Sequence, residues 1–173
     1  MSVKKPGPEI IEKAKKIKII ILDVDGVLTD GGIIVDDNGV ESKNFHVRDG
    51  LAIAVAVKHD MKFSIISGRY SKVVELRTSE LGIHDVHQNA MDKVKVFTSI
   101  LAKHNFTPDD AAFMGDDVND LGVLELAGLS FAPSNADETV KSKVNWVTGC
   151  GGGKGAVREM IELILTEQGK WDY

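Results

Sequence analysis

Residues 17–30 read IKIIILDVDGVLTD, and the fold turns on them. A nearly unbroken run of β-branched and aliphatic residues is the mark of a strand covered on both faces, and hence of a parallel sheet lying between two layers of helices. The run stops at Asp23 and Asp25. In such sheets the ligand crevice lies beyond the carboxyl ends of the strands, so two carboxylates just past a buried strand are placed where chemistry is done.

Working outward, the same grammar recurs. KFSIIS (62–67) reads as a second buried strand ending at Ser67-Gly68-Arg69, and AAFMG (111–115) as a third, followed by Asp116-Asp117-Val118-Asn119-Asp120. Shorter strands are predicted near Val86, over 129–133 and over 145–148. Between them lie helical stretches at 50–59, 71–81, 92–105, 121–127, 136–143 and 156–167, and a basic helix starts near Pro8, a good first helical position. Strands alternating with helices mean βαβ units. The one interruption is 31–46, two short strand-like pieces around the turn signal Asp37-Asn38-Gly39. The expectation is one α/β domain over 1–173, a doubly wound parallel sheet with a β-hairpin inserted after the first strand. It should have no cap: residues 24–66 and 68–92 leave no room for an inserted cap domain.

Composition narrows the function. The chain has 173 residues, 43% hydrophobic and 27% charged, with a formal net charge of −5. That is ordinary for a globular domain with a proper core and disfavours a nucleic-acid binder. Cys150, the single cysteine, rules out an internal disulfide and a multi-cysteine zinc site. No apolar run reaches the ~18 residues of a membrane span, and no leader pattern opens the chain. We therefore expect a cytoplasmic protein acting on a small molecule, with neither nucleic acid nor membrane as partner. Lysines number 17 against four arginines: Arg48, Arg69, Arg77 and Arg158. Arginine offers a fixed fork for carboxylate or phosphate, so these few are candidates for substrate recognition.

Three strand ends supply up to five carboxylates, with the Ser67 hydroxyl and the Lys93 ammonium nearby. So many acids in one crevice would repel one another unless a cation held them. Mg²⁺, a hard ion that prefers oxygen and keeps several waters, fits best. Asp23 and Asp116 can each give a carboxylate oxygen and Asp25 its backbone carbonyl. Residues 23 and 25 point the same way while strand geometry lasts, so one can be a nucleophile while the other moves protons.

Asp23-Val-Asp25-Gly, Ser67, Lys93 and Gly115-Asp116-Asp117-x-x-Asp120 resemble the four motifs of the haloacid-dehalogenase superfamily of phosphatases. DVDGVLTDG, FHVRDG (45–50), SGR, LGI and GGGKGAVRE are similar, more narrowly, to the phosphatases of 3-deoxy-D-manno-octulosonate 8-phosphate. The resemblance implies an Mg²⁺-dependent phosphatase of a sugar-acid phosphate, working through an aspartyl-phosphate in the synthesis of a lipopolysaccharide precursor. It implies Asp23 as nucleophile, Asp25 as general acid/base, Ser67 and Lys93 as holders of the phosphoryl group, and Asp23, Asp25 and Asp116 as the metal site. Asp117 and Asp120 would support the metal and Lys93 from behind. Substrate contacts would come from Asp25, His46, Val47, Arg48, Asp49, Gly50, Arg69, Arg77 and Lys93. It implies a homotetramer in which hairpins join centrally and each covers a neighbour's site, with Gly151–Gly155 a further contributor. A nonulosonate 9-phosphate is the alternative substrate, because Ala54 stands where the octulosonate enzymes commonly carry a basic contact; a non-catalytic binding module on the same fold is the other alternative.

Other motifs read as structure. Gly151-x-Gly153-x-x-Ala156 fits a dinucleotide fingerprint, but the chain after it is too short for the strand and acid that fold requires. His84 and His87 read as surface residues, Cys150 as an inert thiol, and Phe131 and Trp146 as core.

Overall fold

The computed structural model describes residues 5–172. Its centre is the opening stretch: β1 (Ile19–Leu22) is flanked by β4 (Lys62–Ile66) on one side and β6 (Ala111–Met114) on the other, and all its residues are buried. The sheet runs β5 (Asp85–His87), β4, β1, β6, β7 (Leu129–Ala132), β8 (Trp146–Val147), every pairing parallel. The chain leaves β1 towards one edge and then returns to β6 on the other side. That change of direction makes β1 the switch point of the sheet.

Both faces of β1 are covered because side chains alternate along a strand. Ile20 and Leu22 join a cluster built from α1 (Pro8–Ala14), α2 (Val47–Lys58), α3 (Lys72–Glu80) and α7 (Ala156–Glu167). Ile19 and Ile21 face α4 (Lys93–His104), α5 (Leu121–Leu126) and α6 (Glu138–Lys141). The sheet is doubly wound, as its sequence pattern predicts. α7 buries Val157, Met160, Ile161, Ile164 and Leu165, each worth roughly 1.5–3 kcal/mol when fully buried. Phe131 and Trp146 lie in this core too. Among the described residues no helix is long and apolar enough to cross a membrane.

β2 (Ile34–Val35) and β3 (Glu41–Ser42) pair antiparallel in a separate two-stranded ribbon. Its turn is anchored by Asp36, whose carboxylate accepts from the backbone N–H groups of Asn38 and Val40, with Gly39 at φ +77°. Ile33, Ile34, Val35 and Val40 are all more than half exposed.

One boundary differs from the sequence reading. α2 begins at Val47, three residues earlier than expected, with His46 as its N-cap. Gly50, the expected first residue, lies inside the helix, where a Cβ would meet the end of the Arg77 side chain at 2.4 Å.

Candidate active site

The carboxyl ends of β4, β1 and β6 lie side by side, and the loops leaving them enclose a cavity of about 230 Å³. The loop after β1 contributes Asp23 and Asp25, that after β4 Ser67, Gly68 and Arg69, that after β6 Asp116, Asp117 and Asn119; Lys93, the first residue of α4, enters from the side. A larger hollow, about 560 Å³, lies between Lys15–Lys18 and Lys170 at the opposite ends of the strands. It is lined by scattered surface charges, and the convergent buried groups are all in the smaller cavity.

Lys93 organises the floor. Its Nζ is 2.7 Å from Asp120 Oδ1 and 3.1 Å from Asp23 Oδ2, and all three side chains are buried. Burial works against the ammonium, but the attraction of Asp23 and Asp120 outweighs it and its pKa stays above the usual lysine value. Asp120 Oδ2 accepts from the backbone N–H groups of Asp116 and Asp117 at 3.2 and 3.4 Å. This carboxylate thereby fixes both the lysine and the loop after β6. Gly115 makes room for it, since a Cβ there would come within 2.5 Å of Asp120 Cγ.

Asp23, Asp116 and Asp120 carry carboxylate oxygens all within 4.8 Å of one another. Burial, then the negative charge of Asp120, raises the Asp23 carboxyl to about 7 against the pull of Lys93. Burial, then Asp120 and Asp117, raises Asp116 to about 7 as well. Acids this strained relax when a cation joins them. With Asp120 committed to Lys93 and two amides, and Asp23 Oδ2 also facing Lys93, Asp116 and the other oxygen of Asp23 are the donors left for a cation. Room for Asp116 is built into the chain: Gly26 has φ +85°, and a Cβ on it would be 1.9 Å from Asp116 Oδ2. An all-oxygen, partly open donor set of this kind suits Mg²⁺.

Ser67 is buried, and its N–H donates to the His87 carbonyl, tying it to the edge of the sheet. Asp25 lies at the mouth, where Lys43 donates to its Oδ1 and Arg69 stands 3.6 Å from its Oδ2. Lys43 and its neighbour Glu41 come from β3 and the residues just after it, so the ribbon of this chain reaches this chain's own site. The sequence reading passed over both. The available signal was their i, i+2 spacing, which puts them on one face of a strand.

Asp117 is exposed and its carboxylate caps the turn that follows it, accepting from Val118 N–H. Residues 46–50 and Arg77 do not line this cavity. They form a second cluster at the root of the hairpin. Arg77 pairs with Glu80 at 2.6 Å, lies over the Phe45 ring and presses on Gly50. The buried Asp49 carboxylate accepts from Arg158 N–H at 2.7 Å, at the start of α7. His46 Nδ1 is 3.9 Å from Asp49 Oδ2, while Val47 and Arg48 are exposed. Within a single chain, the three arginines weighed alike in the sequence thus separate: Arg69 is at the cavity, Arg77 is packed at the hairpin root and Arg48 is on the surface.

The glycine-rich loop before α7 is a brace. Gly153 N–H donates to the Val27 carbonyl at 3.0 Å, and a Cβ at Gly152 would lie 1.7 Å from the Gly26 carbonyl oxygen. Gly152 N–H donates in turn to Asn135 Oδ1. The loop after β1 is therefore held from below by backbone that approaches closely only because it carries no side chains. Cys150 is exposed, and burial together with Glu159 and Asp49 raises its thiol pKa.

Comparisons with known proteins agree with this geometry. Residues 58–161 match the model of the haloacid dehalogenase-like hydrolase family. The chain is 43% identical over 164 residues to the 3-deoxy-D-manno-octulosonate 8-phosphate phosphatase KdsC of Escherichia coli K12, covering 95% of this chain and 87% of that protein. Among solved structures it is similar to the phosphatase of the same name from Moraxella catarrhalis, in complex with magnesium, phosphate and KDO, at 38% identity and a TM-score of 0.93, over 95% and 94% of the two chains. It is also similar to the cobalt-bound phosphatase from Haemophilus influenzae, at 40% identity and a TM-score of 0.89, over 93% and 96%.

Proposed function

This chain belongs to the haloacid dehalogenase-like hydrolases, and from that premise we propose that it is an Mg²⁺-dependent phosphatase converting 3-deoxy-D-manno-octulosonate 8-phosphate to the free sugar acid and phosphate. The observation that carries the reading is the convergence of Asp23, Asp25, Ser67, Lys93 and Asp116 on one cavity at three adjacent strand ends. Asp23, Asp116 and the Asp25 carbonyl would hold Mg²⁺, which would neutralise phosphoryl charge when bound.

The chain's own residues perform the rest. Asp23, its carboxylate oriented by Lys93 Nζ at 3.1 Å, attacks phosphorus and forms an aspartyl-phosphate. Asp25 gives a proton to the departing sugar oxygen and then takes one from the water that hydrolyses the intermediate. Lys93 and Ser67 hold the phosphoryl oxygens, and Asp120 keeps Lys93 aimed at them. Arg69, beside Asp25, meets the anionic sugar.

The exposed apolar ribbon supports a homotetramer. Two-residue strands carrying Ile34 and Val35 are marginal alone and gain by pairing with copies of themselves. His46, Val47 and Arg48, at the hairpin's root, would then be the residues to face a neighbour's substrate, because Asp49, Gly50 and Arg77 are packed within this chain. Light scattering tests this, and an active species near 18.8 kDa rules the assembly out.

The activity is tested by phosphate release over a panel of sugar-acid phosphates with and without Mg²⁺. Ala54, exposed on α2, favours a second reading in which a nonulosonate 9-phosphate is preferred. The same panel decides it by kcat/KM.

A further inference from the structure

Four charged side chains close a ring at the mouth of the cavity. Lys43 Nζ donates to Asp25 Oδ1 and stands 3.4 Å from Glu41 Oε1. Arg69 stands 3.6 Å from Asp25 Oδ2 and donates to that same Glu41 oxygen at 3.1 Å. Cations and anions alternate, so the ring is neutral. Lys43 is its least exposed member, with a side chain only 2% accessible.

That burial is out of keeping with the ribbon the lysine comes from, whose neighbouring strand residues face solvent. Lysine is almost never fully buried unless paired, because its ammonium loses hydration that only a well-placed partner replaces. Here the principal partner is the carboxyl group assigned to proton transfer. Glu41 sets the arrangement by engaging both cations, which keeps either from swinging towards an incoming phosphoryl group. Asp25 is thus hydrogen-bonded by Lys43 at one oxygen and has a second cation beside the other, which favours one orientation of its carboxyl group.

We propose that Lys43 is a positioning residue for the reaction, fixing the Asp25 carboxyl group so that it meets the leaving oxygen in one orientation. This rests on the phosphatase reading above. Misplacing a reacting group by a fraction of an ångström is enough to cost rate without changing affinity. The role is also specific to the proton-transfer step. A sugar alkoxide is a poor leaving group and needs the proton, whereas p-nitrophenolate departs without it.

The experiment measures wild type, Lys43→Met and Lys43→Gln with Mg²⁺ on two substrates, 3-deoxy-D-manno-octulosonate 8-phosphate and p-nitrophenyl phosphate. In both variants kcat on the sugar phosphate should fall by about 30-fold or more, within reach of what positioned proton transfer contributes, with KM within about 3-fold. Single-turnover release of p-nitrophenolate, which reports phosphoryl transfer to Asp23 before water is activated, should change by less than about 3-fold, which also reports an intact site. A loss in single-turnover p-nitrophenolate release equal to that on the sugar phosphate, no loss on the sugar phosphate, or an effect confined to KM overturns the proposal. Should Lys43→Met fail to fold, Lys43→Gln alone is judged by these criteria. A wild-type protein inactive on both substrates refutes the phosphatase reading instead.

Discussion

The floor of the site and its mouth are built by different physics. On the floor, Asp23, Lys93 and Asp120 are buried, hang from the ends of adjacent strands, and are fixed by backbone amides and by glycines that leave room for them. At the mouth, Asp25 pairs with Lys43 and Arg69, and Glu41 engages both of those cations; all three lie outside the β1 loop, and two come from a ribbon with exposed apolar side chains. The floor is inherited from the sheet. The mouth depends on an element too small to be stable by itself. Chemistry common to many phosphate esters belongs to the first, and the handling of one particular leaving group to the second.

Breaking the floor should be indifferent to substrate. Asp23→Asn is expected to fold and to lose at least ~10³-fold in kcat on both the sugar phosphate and p-nitrophenyl phosphate, as loss of a covalent nucleophile does. More than a tenth of wild-type activity on either would remove Asp23 from that role. Gly26→Ala strikes the metal position instead. Its Cβ would overlap Asp116 Oδ2 and the residue would sit at φ +85°, a conformation costing a side-chain-bearing residue roughly 1–2 kcal/mol. The Mg²⁺ concentration for half-maximal activity should rise at least ~10-fold; an unchanged value in a metal titration would show that Asp116 does not need that space.

The mouth should respond selectively. Arg69→Lys keeps charge but loses the fork, so KM for the sugar-acid phosphate should rise about 5–10-fold while p-nitrophenyl phosphate is affected less. Equal changes for the two would place Arg69 outside leaving-group recognition. The smallest effect concerns pH. Asp23 and Asp116 are raised from 3.8 to about 7, so across that interval the folded metal-free protein binds more protons than the unfolded chain. Its stability should therefore fall as pH climbs through the interval, by the linkage relation. Mg²⁺ takes the deprotonated pair, so the gain in Tm on adding it should be larger at pH 7.5 than at pH 5.5. Thermal melts with and without Mg²⁺ check this, and a gain independent of pH would contradict it.

The same contrast explains what could be read from the chain. Floor residues follow directly from strands: a buried run ending in Asp23-Val-Asp25, another ending at Ser67 and a third at Gly115-Asp116 fix three neighbouring positions once the sheet is parallel. Even Lys93, at a helix start, is legible from the boundary set by Asp92, whose carboxylate caps α4. Mouth residues follow from tertiary packing. Lys43 is one of 17 lysines, and only the fold of the ribbon against the β1 loop singles it out. Arg77 and Arg69 look equivalent in sequence, but Phe45, Gly50 and Glu80 claim Arg77 for packing. The glycines at 151–155 fit a dinucleotide fingerprint, which the sequence reading sets aside in favour of a structural role. Their smallness serves contact between two backbones.

That last contact sets a timetable for synthesis. Val27 belongs to the loop that presents Asp25, and the amide that closes its carbonyl belongs to Gly153. At translation rates of about 5–20 residues per second, the later residue is joined to the chain roughly 6–25 s after the earlier one. Until then the nucleophile loop of a nascent chain lacks its underside, although the strands that present the site have all been made. A ribosome stalled before residue 153 would carry a nucleophile loop without that brace, and a β1 still lacking α7, whose side chains pack in one cluster with Ile20 and Leu22.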